Sequence, residues 1–243
     1  MDTLKIDSKN TKMIAHRGVS KIERENTCPA FLFAASRSYF GIETDVHMTK
    51  DGKLVVIHDE TLTRVTGGAC NLDVEKSDFS EIADIIIPDL DGTTVRRDIR
   101  VPLLSEYIAI CKKYDKKAVL ELKGKFDGQG IDAIISEIRS LDYLDGMIYI
   151  SFDLDNCIML RERLSDAEVQ LLIGGALERE EINALLKKYS LDLDIYFERL
   201  TSDWIQELHE MGVKINCWTC DSPEKAEELV EWGVDFITSN ILE

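Results

Sequence analysis

Proline is scarce, at four residues in a chain of 243, and it never clusters with glycine or serine into a linker. The sequence therefore offers no seam at which one folding unit would give way to another. Long apolar runs are also missing, since none reaches the roughly 18 residues that a membrane-spanning helix needs. The opening residues, Met1-Asp2-Thr3-Leu4-Lys5-Ile6-Asp7-Ser8, lack the apolar centre of a secretion signal, which leads to the expectation of a cytoplasmic address. Positive charge is in short supply, with 29 Lys and Arg against 46 Asp and Glu and a net charge of -17. Nucleic acid and anionic membrane surfaces both need a basic footprint, so neither is an expected partner. An anionic small substrate stays open, provided that a local cation and a few basic side chains reverse the potential inside a cleft.

The six cysteines, at positions 28, 70, 111, 157, 217 and 220, are scattered. Without a secretion signal they read as reduced thiols. Cys217-Trp218-Thr219-Cys220 has the C-x-x-C spacing. No second such pair completes a zinc set, however, and the run ends a strand rather than opening a helix.

What the chain does have is alternation, and a 44% hydrophobic content is ample for a core. Strand-like runs are expected at 13–16, 41–46, 118–123, 147–152, 169–173, 194–197, 214–218 and 235–239. Helical runs lie between them at 29–38, 104–114, 131–141, 154–164, 180–189, 202–211 and 223–232. Ser202 and Ser222 stand where N-caps belong, and Gly212 and Gly233 where helices end. Eight strands joined by right-handed helical crossovers predict an α/β fold, a (β/α)8 TIM barrel formed as a single domain over residues 1–243. An open doubly wound sheet is the alternative, but His16-Arg17-Gly18-Val19 is not the glycine-rich turn it would carry after its first strand. Residues 59–101 are too long for a simple connection and read as a small insertion after the second strand, of the kind often set over a site. There is no clear final helix. The exposed face is expected to be covered by the first eleven residues or by another subunit, which would make a homo-oligomer.

Two of the four histidines, His16 and His58, fall at strand ends within the first quarter of the chain. Lys50-Asp51-Gly52 is a hairpin signal, because Asp-Gly accepts positive φ, and it folds His58 back toward the second strand. Residues two apart share a strand face, so Glu43 and Asp45 point together, as do Glu121 and Lys123. Three carboxylates then converge at the C-terminal rim, where such barrels place active sites. Raised pKa values, ion pairs with Arg17 and Lys123, or a cation can compensate them. An all-oxygen set favours Mg²⁺ or Ca²⁺ over zinc. His16 and His58 read as a general acid and base pair, whereas His47 and His209 read as structural or surface residues. Phe152 and Trp218 are either an apolar wall of the site or core aromatics.

In this order and spacing the residues resemble the glycerophosphodiester phosphodiesterase family. The resemblance runs over nearly the whole chain, through His16-Arg17-Gly18, Glu25-Asn26-Thr27, Glu43-Thr44-Asp45-Val46, Thr49-Lys50-Asp51-Gly52, His58-Asp59, Glu121-Leu122-Lys123, Ser151-Phe152, Trp218-Thr219 and Gly233-Val234-Asp235. It implies a TIM barrel that hydrolyses glycerophosphodiesters to glycerol 3-phosphate and an alcohol with one bound divalent cation. By that analogy Glu43, Asp45 and Glu121 are metal ligands, His16 and His58 the acid/base pair, and Arg17 and Lys123 contacts to phosphate. The insertion would help close over the glycerol. The chain departs from the family in having Arg24 where proline often precedes Glu-Asn-Thr, and in lacking the helical tail. Two other readings use the same constellation. A lysophospholipase D or phospholipase-C-like enzyme would need an apolar patch at the mouth, and a silent phosphodiester-binding barrel would have lost a proton-transfer or metal residue.

Overall fold

Strands and helices alternate because the apolar pattern does, and a computed structural model describes residues 2–243 of the result. Eight parallel strands form the ring: β1 (Lys12–Ala15), β2 (Gly41–Met48), β4 (Lys117–Leu122), β5 (Met147–Ser151), β6 (Glu168–Ile173), β7 (Asp192–Tyr196), β8 (Ile215–Trp218) and β9 (Phe236–Ser239). Each pairs with its neighbours, and β1 pairs with both β9 and β2, which closes the barrel. Strand alternation sorts the side chains. Leu120 and Leu122 join the large core under the helices, while Val119 packs inside the barrel with Ile14, Ile148, Ile150, Leu172 and Phe236.

The helices that follow the strands are α1 (Cys28–Ala35), α3 (Leu104–Lys113), α4 (Gly128–Ser140), α5 (Leu154–Arg163), α6 (Arg179–Tyr189), α7 (Ser202–Glu210) and α8 (Pro223–Trp232). Ser222 caps α8 by accepting from the Lys225 amide, and Gly233 closes it in the left-handed conformation. Ser202 is not a cap as expected. It is the first residue of α7, and Thr201 holds the cap position.

β3 (Leu54–Val56) runs antiparallel to β2 with Val46 opposite Val56 and leads into the insertion at 59–101. The insertion itself carries the short helix α2 (Phe79–Ile82). Its Leu62, Val65, Val74 and Ile82 form an apolar core with Val55 and Ile57 of the preceding β3 segment. At roughly 1.5–3 kcal/mol per buried aliphatic side chain, that core is enough to fix the segment against the rim. The face without a final helix is covered by the chain's own beginning. Leu4 donates to Ile241 O at 3.0 Å, Glu243 donates back to Leu4 O at 2.8 Å, and Leu242 is fully buried.

Candidate active site

The parallel register of β2 and β4 sets Asp45 opposite Glu121, and alternation brings Glu43 to the same inner face. The carboxylates of Glu43, Asp45 and Glu121 offer oxygens within 4.8 Å of one another, and all three residues are buried. Lys123, just past β4, lies 2.7 Å from Glu121 and 3.5 Å from Asp45. Arg17 Nε lies 3.5 Å from Asp45, and the Arg17 backbone amide donates to Glu43 Oε2 at 2.8 Å.

These two bases do not compensate three acids. Burial raises the Asp45 pKa, but Arg17 and Lys123 outweigh it and keep Asp45 below the usual carboxylate range. Burial, reinforced by the Asp45 charge, holds Glu43 well above that range and pushes Glu121 up to about 7. Ion pairing with Arg17 and Lys123 thus leaves Glu43 and Glu121 harder to ionise than ordinary carboxylates. Asp45 Oδ1 is buried without a hydrogen-bond partner. A buried all-oxygen set with an open acceptor suits a hard divalent cation.

The backbone that carries Arg17 is tightly specified. Gly18, at φ +79°, passes so close to α1 that a Cβ would sit 2.6 Å from Ala30 Cβ. Asn26 accepts from Thr44 Oγ1 at 2.8 Å and donates to Asp45 Oδ2 at 2.7 Å, which fixes that carboxylate.

His16 and His58 are each tied by Nδ1. His16 follows β1 and meets Asn240 Oδ1 at 2.7 Å. Asp221 takes the Asn240 amide nitrogen at 2.8 Å, so the Asn240 oxygen faces His16 and Nδ1 carries the proton. The Nε2 atom, 3.9 Å from Glu43, is left with its lone pair. Burial, with the Arg17 charge behind it, lowers the His16 pKa to about 4 and keeps the ring neutral. His58 Nδ1 donates to Asp59 at 2.7 Å, and burial lowers its pKa as well. His47 is buried, held between Glu75 and the His58 carbonyl, and His209 pairs with Asp235 on the surface.

His16, Arg17, Glu43, His58 and Glu121 line one cavity of about 160 Å³ together with Phe152, Trp218 and Asp194. Phe152 and Trp218 meet edge to face at 5.7 Å. Sequence reasoning missed Asp194, which is wholly buried with Oδ1 unpartnered. It also gave no role to Asn26, Asn240 or Arg64, whose contacts cross between distant loops and leave no local pattern. A larger cavity of about 680 Å³ opens at the opposite end of the barrel. None of the histidines lines it, and its Lys116 is engaged by the carbonyls of Arg37 and Tyr39. Cys217 and Cys220 are buried free thiols. Among the described residues, the Glu43–Asp45–Glu121 group is the only cluster with metal-ligand spacing, and no helix is long and apolar enough to cross a membrane.

A profile of the Glycerophosphoryl diester phosphodiesterase family matches residues 16–242. The chain is 32% identical over 233 residues to a glycerophosphodiester phosphodiesterase of Caldanaerobacter subterraneus subsp. tengcongensis, spanning 95% of this chain and 94% of that one. A solved glycerophosphodiester phosphodiesterase from Parabacteroides distasonis is similar with a TM-score of 0.79 at 28% identity, covering 95% of this chain and 93% of that one. A phosphodiesterase from Oleispira antarctica, solved with its product sn-glycerol-3-phosphate, shares the fold with a TM-score of 0.83 at 20% identity, over 98% and 96% of the two chains. The likeness holds in sequence and in fold over almost the whole chain, and the protein belongs to the glycerophosphoryl diester phosphodiesterase family.

Proposed function

We propose that this phosphodiesterase hydrolyses water-soluble glycerophosphodiesters to glycerol 3-phosphate and an alcohol, with His16 and His58 as the acid/base pair. The observation that carries the reading is the pairing of two imidazoles, each locked at Nδ1 and lining one cavity, with a cluster of three buried carboxylates beside them. Glu43, Asp45 and Glu121 would hold one Mg²⁺ or Ca²⁺, which when bound draws charge from a non-bridging phosphate oxygen. Arg17 and Lys123 line the same rim and would bind the remaining phosphate charge as it builds in the transition state. One Nε2 takes a proton from the nucleophile, either water or the glycerol 2-hydroxyl; in the second case water then opens the resulting cyclic phosphate with the two histidine roles exchanged. The other must enter the reaction protonated at Nε2 as well, and gives that proton to the departing alcohol oxygen, so that the leaving group departs neutral. Phe152 and Trp218 would exclude water from one side of the substrate. A cytoplasmic location agrees with this substrate class.

A lipid-tailed diester, cleaved as by a lysophospholipase D, is the second reading, and one observation favours it. Phe152, Leu177 and Tyr196, in loops or strand ends at the C-terminal rim, and Ile86, Leu90 and Val95 on the insertion are large apolar side chains left exposed. Release of choline and glycerol 3-phosphate from glycerophosphocholine is the deciding assay, run beside lysophosphatidylcholine. Turnover of the water-soluble diester supports the first reading, and turnover of the lipid alone replaces it with the second.

A further inference from the structure

Arg64 belongs to the insertion, outside the residues assigned above, yet two of those residues lead back to it. Its Nε and Nη2 donate to the two oxygens of Asp59 at 2.7 and 2.9 Å. The same guanidinium donates to Glu25 from Nη1 and Nη2, at 2.8 Å each. Both carboxylates are shared. Asp59 Oδ1 also accepts from His58 Nδ1 at 2.7 Å, and Glu25 Oε1 also accepts from Arg17 Nη1 at 2.9 Å. One planar fork therefore stands behind an imidazole on one side and a phosphate-facing guanidinium on the other.

The geometry points to Arg64 as a positioning residue that sets His58 through Asp59 and Arg17 through Glu25, an inference that rests on the roles proposed for those two residues. A carboxylate with one partner can swing, whereas one gripped in two-pronged fashion from behind presents a fixed oxygen to its histidine or arginine. Both carboxylates are held ionised for this purpose. The Arg64 hydrogen bonds lead in depressing Asp59 to about 2. In Glu25, burial opposes the shift, but Arg64 and Arg17 together bring it to about 2.

Arg64 is not needed merely to dock the insertion. Arg24 Nη2 already donates to Val65 O at 2.7 Å, Arg96 pairs with Glu23 at 2.8 Å, and the insertion shares an apolar core with the β3 segment. The Arg64 side chain itself is 46% exposed, so its removal is expected to leave the fold intact. Lysine carries the charge without the fork and cannot hold each carboxylate by both oxygens.

The test uses the full chain with glycerophosphocholine and whichever of Mg²⁺ or Ca²⁺ supports turnover. Arg64→Ala is expected to lower kcat by about 100-fold, the scale of a misplaced catalytic group, and to raise KM. Its Tm and the rise in Tm on adding the cation should match the parent protein. Asp59→Asn should lower kcat with little change in KM, and Glu25→Gln should chiefly raise KM. In the Arg64→Ala/Asp59→Asn double variant, kcat should be no lower than in the worse single variant, because both changes break one chain of contacts. Should Arg64→Ala fail to fold, Arg64→Lys carries the same comparison and should fall between parent and alanine variant. Parental kcat and KM in the arginine variants, or kcat losses that multiply in the double variant, overturn the inference. Failure of the parent protein to cleave the diester overturns the functional reading instead.

Discussion

The two walls of the barrel mouth follow different rules. On the wall built by β1, β2, β4 and the insertion, His16, Arg17, Glu43, Asp45, His58, Glu121 and Lys123 are fixed by charged or polar partners drawn from several loops. The wall from β5 to β9 is nearly neutral. It presents Ile150, Phe152, Leu172, Trp218 and Thr238, backed by Gln170 and Asn216, which bond to each other at 3.1 Å. Charge that must change during a reaction is concentrated on one side, where each group has a fixed neighbour to answer it. The other side supplies shape and dryness, which suits selection of the substrate rather than its chemistry. Asp194 is the exception, an acid on the neutral wall that accepts only from Asn216, at 3.2 Å.

Damage to the charged wall should cost most, and differently for its two parts. Glu121→Gln is expected to abolish measurable turnover and to remove the rise in Tm on adding Mg²⁺ or Ca²⁺. His16→Ala should lower kcat by about 10²–10⁴-fold yet keep that rise, because a cation that binds only the folded state stabilises it wherever its ligands survive. Thermal melts beside initial rates check both, and a His16→Ala protein that no longer responds to cation would merge the two parts into one.

Damage to the neutral wall should be milder and should fall on KM. Phe152→Ala and Trp218→Ala are each expected to raise KM for glycerophosphocholine roughly tenfold, the equivalent of about 1.4 kcal/mol of lost contact, with kcat largely kept. A selective fall in kcat would place these aromatics with the chemistry instead.

The smallest effect belongs to Asp194 and appears in stability. Burial, with the Glu121 charge added, raises its pKa well above the ordinary value of 3.8, so the folded state holds a proton that the unfolded state releases. The usual carboxylate sign is reversed. Stability is unaffected below the unfolded value and declines as pH climbs from there toward the folded pKa. Asp194→Asn removes this slope, so the variant should match the parent near pH 4 and melt higher at pH 8. Melting curves at both pH values, with cation present, are the check. Equal melting points at pH 8 would mean that the carboxyl is stabilised in its charged form.

What could be read in the sequence follows the same division. Strand alternation announces which residues face inward, so Glu43, Asp45, Glu121 and Lys123 were visible from spacing, and the Asp-Gly turn announced the return of His58. Boundaries slipped by up to three residues, as at the start of α4, and Ser202 shows why: a serine that opens α7 and one that caps it look alike in sequence. The partners that tune the site were hidden. Asn240 reaches His16 across 224 positions, and Arg64 reaches Glu25 across 39 from a segment without period. Asp194 was placed on a strand but looked like any strand-start acid, since only the closed barrel turns that position into the floor of a cavity.

The central claim is that Glu43, Asp45 and Glu121 bring a divalent cation to the two histidines. Turnover of glycerophosphocholine with and without excess chelator tests it most directly. Activity should disappear in chelator and return when Mg²⁺ or Ca²⁺ is restored, whereas full turnover in excess chelator would contradict the account.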